Sequence, residues 1–300
     1  MLKHVSEKPL KPARVVVLGA QGFVGRHVLA TLSANGIDTL GLSRNQVDLL
    51  DAEAAHQLLS YLKPEDVLVF AAAIAPCKNN AQLINNLRMA EAVSSIFEKV
   101  PLSQVVYISS DAVYADDLSL VTESSAVQPN SLHGLMHSAR ELMLRTTAGK
   151  TPLVILRPSL LYGRDDPHNG YGPNRFRRLA EEQKTITLFG EGEEKRDHIF
   201  IEDVAKIISL VIQHRSEGVL NIATGASVSF RETAEIIVAH AGQELSIQGT
   251  PRQNPITHRY FDITACHKAF PVFSYTPFVA GVLKLLQKTP ELVSWPKLIY

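Results

Sequence analysis

Two histidines four residues apart, His133 and His137, lie in the stretch Ser131-Leu132-His133-Gly134-Leu135-Met136-His137-Ser138-Ala139-Arg140-Glu141. Leu132, Leu135, Met136, Ala139 and Leu142 read as the buried stripe of a helix from about Leu132 to Thr147. At a four-residue spacing both imidazoles project from one helical face, so both can border a cleft. Imidazole, with a reference pKa near ~6.5, takes up a proton at neutral pH without assistance, which makes the pair a candidate acid/base centre. Two other readings stay open: ordinary helix polarity in a protein with no chemistry there, and a metal site completed by Glu141. Nothing else in the sequence supplies an obvious ligand cluster, so no metal is expected.

A second constellation could hold phosphate. Gly19-Ala20-Gln21-Gly22-Phe23-Val24-Gly25 follows the β-branched run Val15–Leu18 and opens a helix with Val24, Val28, Leu29 and Leu32 at helical spacing. Glycines at a strand-to-helix turn let backbone approach a pyrophosphate at the helix N-terminus. The spacing is GxxGxxG, one residue longer than GxGxxG, and the competing reading is a ligand-free glycine turn. Further on, Arg196 and the group Arg175, Arg177 and Arg178 beside Asn174 offer local positive charge for an anionic ligand. Arg177 and Arg178 are expected on a solvated helix face.

The elements that must position these residues follow from the patterning. Short apolar runs alternate with amphipathic stretches from Arg14 onward, which predicts βαβ units and a parallel sheet. Strands are expected at Val15–Leu18, Asp38–Leu42, Val67–Ala71, Val105–Ile108 and Leu153–Leu156, with helices ending near Gly36, before Pro64 and before Pro101. Beyond Arg157 the alternation gives way to loops rich in Gly, Pro and Asp, with helices near Arg175–Gln183, Asp203–His214, Arg231–Ala241 and Phe278–Leu286. The expected fold is α/β, a doubly wound parallel sheet of Rossmann type with a smaller mixed α/β substrate-binding cap. Residues 1–12 read as a flexible arm, 13–165 as a dinucleotide-binding domain to which later segments return, and 166–300 as mainly the cap.

Composition sets the limits. Thirty Lys plus Arg balance thirty Asp plus Glu in 300 residues, so no global field favours nucleic acid or an anionic membrane. The cysteines, Cys77 and Cys266, are far apart and in no metal-ligand spacing, which suits a reducing compartment and a cytoplasmic location.

With its glycine spacing, the chain resembles the extended short-chain dehydrogenase/reductases, the NAD(P)-dependent sugar epimerase/dehydratase family, over about residues 14–290. Asp48-Leu49-Leu50-Asp51 is similar to the family's acidic turn beside adenine, and Ala71-Ala72-Ala73 to the strand end along the cofactor. Ser109-Ser110-Asp111-Ala112-Val113-Tyr114 resembles SSxxVYG, and Leu156-Arg157-Pro158-Ser159-Leu160-Leu161-Tyr162-Gly163 resembles LRPxxxYG. Gly190-Glu191-Gly192 with Arg196-Asp197-His198-Ile199-Phe200 is similar to GxG…RDFI, and Asn221–Gly225 and Arg259–Asp262 complete the series.

The resemblance implies a dinucleotide held by Gly19, Gln21, Gly22, Phe23, Val24, Gly25, Asp48, Leu49, Ala71, Ala72, Ala73 and Pro158. It implies NADP in preference to NAD, because Ser43 and Arg44 stand where NAD users carry an acid; Arg44 stacking on adenine would leave NAD open. It implies substrate contacts from Ser110, Asp111, Asn174, Arg196 and, more weakly, Arg259, with Tyr162 and Phe176 bordering the sugar or base. The family's YxxxK pair falls on His133 and His137, the first expected to move a proton and the second to orient the nicotinamide ribose. Asp111-Ala112 lacks the Asp-Glu pair of the family's 4,6-dehydratases. The expected protein is a homodimeric nucleotide-sugar epimerase or reductase with Ser110, His133 and His137 as catalytic residues; the alternative is a catalytically silent dinucleotide or nucleotide-sugar binder.

Overall fold

The computed structural model describes residues 1–242 and 244–287, so the part of the expected cap at 288–300 lies outside the described residues. In chain order the first half runs β1 (Lys3–His4), β2 (Val15–Leu18), α1 (Phe23–Ala34), β3 (Thr39–Leu42), α2 (Ala54–Tyr61), β4 (Val67–Phe70), α3 (Asn80–Ser94), β5 (Gln104–Ile108), β6 (Leu120–Val121), α4 (Leu132–Thr147) and β7 (Leu153–Pro158). There follow β8 (Leu160–Tyr162), α5 (Pro173–Glu181), β9 (Ile186–Phe189), β10 (Lys195–Phe200), α6 (Ile201–Gln213), β11 (Ser216–Ile222) and β12 (Ser227–Ser229). The remainder is α7 (Phe230–His240), β13 (Ile247–Thr250), β14 (Tyr260–Phe261), α8 (Thr264–Ala269) and α9 (Phe278–Leu286).

Val15, Val16, Val17 and Leu18 are apolar on both faces because β2 lies inside a sheet covered on both sides. That sheet has the order β1-β11-β7-β5-β4-β2-β3, parallel apart from β1. One apolar layer joins Val15, Val17, Val28, Leu32, Val204 and Ile208 under α1 and α6; the other joins Val16, Leu18, Leu58, Leu68, Ala90, Val93 and Leu144 under α2, α3 and α4. Because β3 lies to one side of β2 and β4 to the other, strand order reverses at β2, and a crevice opens beyond the carboxyl ends of β2 and β4. Phe176, Ile186, Leu188, Phe230, Ile237 and Val282 form the smaller core of the cap.

The seventh strand, β11, lies beyond the cap's first helix and returns to the sheet beside β7, in register from Gly218–Val154 to Ile222–Pro158. The loose-arm expectation for residues 1–12 is corrected: β1 pairs with β11, His4 Nδ1 lies 2.8 Å from Ser216 Oγ, and the His4 ring stacks on His214 at 4.4 Å. Gly218 permits this approach, since a Cβ there would lie 2.4 Å from the Met1 carbonyl oxygen. A two-residue strand whose partner is more than two hundred residues away leaves no local periodicity to read.

Candidate active site

The glycine turn closes against the end of β4. Gly19 has φ +84°, and a Cβ on it would lie 2.8 Å from the Ala72 backbone; a Cβ on Gly25 would lie 2.2 Å from the Gly19 carbonyl oxygen. Helix α1 begins after Gly22 with no side-chain cap and no acid in its first turn, so its leading N–H groups are left for a ligand oxygen. Ala71, Ala72 and Ala73 follow β4 along the same crevice. These features fit a dinucleotide. Gln21 is exposed, Val24 half-buried, and Phe23 packs inward with Tyr162, Phe200, Ile201 and Leu285. At the end of β3, Ser43 directs both its N–H and its hydroxyl to Gln46 Oε1, and Arg44 Nε donates to Asp48 Oδ2 at 3.0 Å on an exposed turn. Leu49 is buried in the core, and Pro158 closes β7 in register with Ile222.

Helix α4 starts where Ser131 Oγ accepts the Gly134 N–H at 3.1 Å. A Cβ on Gly134 would lie 2.0 Å from the Ala112 carbonyl oxygen, so glycine lets α4 pack directly on the short turn Asp111–Val113. That turn is capped by Ser110, whose Oγ accepts the Ala112 N–H at 3.1 Å. Ser110 and the two histidines therefore share one corner of the molecule. His133 is half-buried and His137 buried, their rings edge to face with centroids 4.8 Å apart. His133 Nδ1 accepts the Cys77 N–H at a long 3.4 Å, and His137 Nδ1 lies 2.7 Å from the Tyr107 hydroxyl.

Burial pulls the His137 pKa well below the ordinary imidazole value, helped by His133 and Arg140. Burial also lowers His133, with His168 adding to the effect. Both rings are therefore neutral at neutral pH, and His137 presents no imidazolium to a ribose. Burial pushes the Tyr107 hydroxyl up to about 12, so it is a phenol.

The expected apolar stripe of α4 is corrected. Met136 is buried, but Leu135 and Leu142 are 45% and 67% exposed, while His137, Arg140 and Glu141 face inward. Glu141 is held there by Arg157, Nε at 2.9 Å and a terminal nitrogen at 2.5 Å, and by the Ser109 hydroxyl at 2.6 Å. With its carboxylate so engaged, Glu141 does not join the histidines. The polar network fixes the strand end that carries Ser109 and Ser110.

On the substrate side, Arg196 lines a cavity of about 710 Å³ with Tyr171, Phe189, Glu194, Phe230 and Arg252; its guanidinium donates to the Thr257 carbonyl and, at 2.9 Å, to Thr257 Oγ1. Asn174 clamps the cap, Oδ1 accepting the Gly163 N–H at 3.0 Å and Nδ2 donating to the Leu161 carbonyl at 3.2 Å. Asp111 and Arg259 bind each other, at 3.2 Å and both buried, and Arg259 also reaches Asp116 and the Ala115 carbonyl. Asp111 and Arg259, expected as substrate contacts, are thus engaged with each other, so neither buried charge is left uncompensated. The expectation that Tyr162 and Phe176 border the ligand is corrected: both are core side chains, 1% and 0% exposed. Arg177 is buried rather than solvated, pairing with Glu181 and the Arg164 carbonyl.

The NAD dependent epimerase/dehydratase family model matches residues 15–223. The chain belongs to this family. It is 25% identical over 320 residues to a dTDP-L-rhamnose 4-epimerase of Burkholderia thailandensis, covering 84% of this chain and 88% of the relative. It is 27% identical over 278 residues to a putative UDP-glucose 4-epimerase of Methanocaldococcus jannaschii, covering 83% and 90%. Among solved structures, a UDP-glucose 4-epimerase of Thermotoga maritima superposes with TM-score 0.80 at 20% identity, covering 91% of this chain and 97% of the other. A GDP-L-fucose synthetase of Naegleria fowleri bound to NADP superposes with TM-score 0.84 at 16% identity, covering 95% of each. These likenesses show the fold. Among the described residues no helix is long and apolar enough to cross a membrane.

Sequence reasoning missed Arg140, Tyr107 and His198. Tyr107 sits in a run that reads as core, Arg140 on what reads as the polar side of its helix, and His198 inside a motif whose Arg drew attention first; only burial exposes their partners.

Proposed function

We propose that this chain is an NAD(P)-dependent nucleotide-sugar epimerase or reductase in which His133 and His137 stand for the family's Tyr and Lys. The observation that carries the reading is convergence: the Gly19 turn, the Ala71–Ala73 strand end, Ser110 and His133 all gather at the carboxyl edge of β2, β4 and β5. A dinucleotide, when bound, would supply the hydride chemistry at the sugar carbon. The leading N–H groups of α1 would hold its phosphates, and the Ala71–Ala73 backbone would border it. Ser110 donates to the reacting oxygen, and His133 moves the hydroxyl proton at Nε2. To accept that proton the ring must carry its own on Nδ1, which opens the long contact with the Cys77 N–H. Arg196, which lines the cavity of about 710 Å³, would hold the substrate's diphosphate.

NADP is proposed as the preferred dinucleotide. A 2′-phosphate would compete with Asp48 for Arg44, and the absence of an acid at positions 43 and 44 removes the repulsion. Arg44→Ala should therefore weaken NADP selectively in a fluorescence titration; equal losses for both dinucleotides refute the preference. We place the protein in the cytoplasm, where its two buried thiols, Cys77 and Cys266, stay reduced. Absorbance of reduced nicotinamide after adding UDP-glucose, UDP-N-acetylglucosamine or dTDP-L-rhamnose tests the reaction class. A transient or net reduction with any of them supports an epimerase or reductase; tight binding of both ligands with no redox change supports the silent binder instead.

A further inference from the structure

Helix α4 carries three basic side chains on one face, His133, His137 and Arg140, at spacings of four and three residues. The third has an unusual surrounding. Among the described residues, four arginines are less than a tenth exposed: Arg140, Arg157, Arg177 and Arg259. Arg157 ends on Glu141, Arg177 on Glu181, and Arg259 on Asp111 and Asp116. Among those same described residues, Arg140 ends on no carboxylate. A terminal nitrogen donates to the Ala72 carbonyl at 3.0 Å, another lies 3.9 Å from the Met136 sulfur, and the guanidinium lies 4.3 Å from the Phe70 ring centre and 5.6 Å from that of Tyr107. Its buried Nε has no hydrogen-bond partner among them.

A guanidinium taken out of water without a counter-ion is costly, and a packed apolar residue of the same volume would stabilise the core better. The aromatic faces of Phe70 and Tyr107 offset part of that cost. What the charge adjoins is the active site. Ala72 is the residue against which the Gly19 turn closes, and the Tyr107 hydroxyl is 2.7 Å from His137 Nδ1.

We propose that Arg140 and Tyr107 form a buried positioning pair for His137: Tyr107 donates its hydroxyl proton to His137 Nδ1 and fixes that ring as the Nε2–H tautomer, while Arg140, anchored on Ala72, keeps a permanent positive charge beside it. Protonating that imidazole would then add a like charge in a space with little water. The groups facing the pair offer no compensation. Among the described residues, β5 brings the Tyr107 phenol, the loop after β4 the Cys77 N–H, and the segment after β8 His168, itself basic. Glu141, the nearest acid on α4, is held by Arg157 and Ser109. Arginine fits this role because it does not give up its proton. His137 thus stays uncharged, burial being the larger cause and Arg140 adding to it.

The consequence for turnover rests on the oxidoreductase reading above; the state of the rings does not. Proton–nitrogen correlation spectra of the full chain, with nitrogen-15 in its histidines, read tautomer and charge directly between pH 5 and 8. His137 is expected in the Nε2–H form and uncharged throughout. Tyr107→Phe should abolish the tautomer preference, and Arg140→Met should raise the pH at which His137 begins to take up a proton while burial still holds it below a free imidazole, whereas Arg140→Lys should restore the wild-type response. A wild-type His137 that titrates like a free imidazole, or a response unchanged in Arg140→Met, overturns the pairing, and the wild-type spectrum decides even where a variant fails to fold. Titration of the same samples with NADP and with NAD tests the oxidoreductase reading separately: a wild type that binds neither would sink that reading and leave the ring state standing.

Discussion

At the scale of single residues, the site is built from side chains kept neutral by burial. His198 is the clearest. It is 2% exposed, its Nε2 has no partner among the described residues, and it lies against Phe230 and Phe278 beside a cavity of about 300 Å³. Burial and Arg196 draw its pKa down to about 3. The unfolded chain, with imidazole near ~6.5, binds a proton that the folded chain refuses, so stability is lost as pH falls from the unfolded value toward the folded one. Each unit in that window costs about 1.4 kcal/mol, or roughly 2 kcal/mol between pH 7 and 5 for this residue. His198→Phe should flatten the dependence, seen as a smaller drop in the urea midpoint over that interval; an unchanged slope would assign the acid sensitivity elsewhere. The same sign applies to catalysis. His133 and His137 are both lowered, so the acid limb of turnover should lie below the ordinary imidazole value rather than at it.

At the scale of elements, α4 and α1 owe their placement to glycine. Gly134→Ala puts a methyl group 2.0 Å from the Ala112 carbonyl oxygen, so the helix must move off the turn that carries Ser110. About 1–3 kcal/mol of stability should be lost with it, and turnover should fall more than dinucleotide affinity. Gly25→Ala crowds the Gly19 carbonyl instead and should weaken the dinucleotide first. Thermal melts with paired NADP titrations separate the two, and equal effects on binding would contradict the division. Such placements were largely legible in the sequence. Val15–Leu18, Leu132–Thr147 and Phe278–Leu286 carry unambiguous periods, and the observed elements have those same bounds. The inward face of α4 was not legible. A helical wheel assigns Leu135 and Leu142 inward on hydrophobicity, whereas Arg157 and the Ala72 carbonyl, distant in sequence, draw Glu141 and Arg140 inward instead. For the same reason the pairing of Arg259 with Asp111 and Asp116 was not legible, since these carboxylates lie more than 140 residues away.

At the scale of the whole molecule, the leucines displaced from the core need an explanation of their own. Ile84 on α3 and Leu135 and Leu142 on α4 are 51%, 45% and 67% exposed, on two helices that pack against each other. Apolar side chains grouped on one helical face favour burial against a second copy of the same face, and we propose a homodimer formed through α3 and α4. Leu142→Glu, or Leu135→Glu with it, should give a monomer by light scattering at micromolar concentration with the fold intact. A monomeric wild type would remove the proposal. The dimer would also cover the outer side of the helix whose inner side holds His133 and His137, coupling assembly to the rigidity of the site.

His133 is the residue on which the proposed chemistry most depends. With a nucleotide sugar that the wild type turns over, the pH dependence of turnover should be compared with that of His133→Ala, alongside the affinity of each for NADP. A loss of about 10²–10⁴-fold in turnover is predicted, with dinucleotide affinity nearly unchanged and the acid limb of the wild type absent from the variant. Turnover in His133→Ala equal to the wild type at every pH would contradict this role and pass the proton to Ser110 or water.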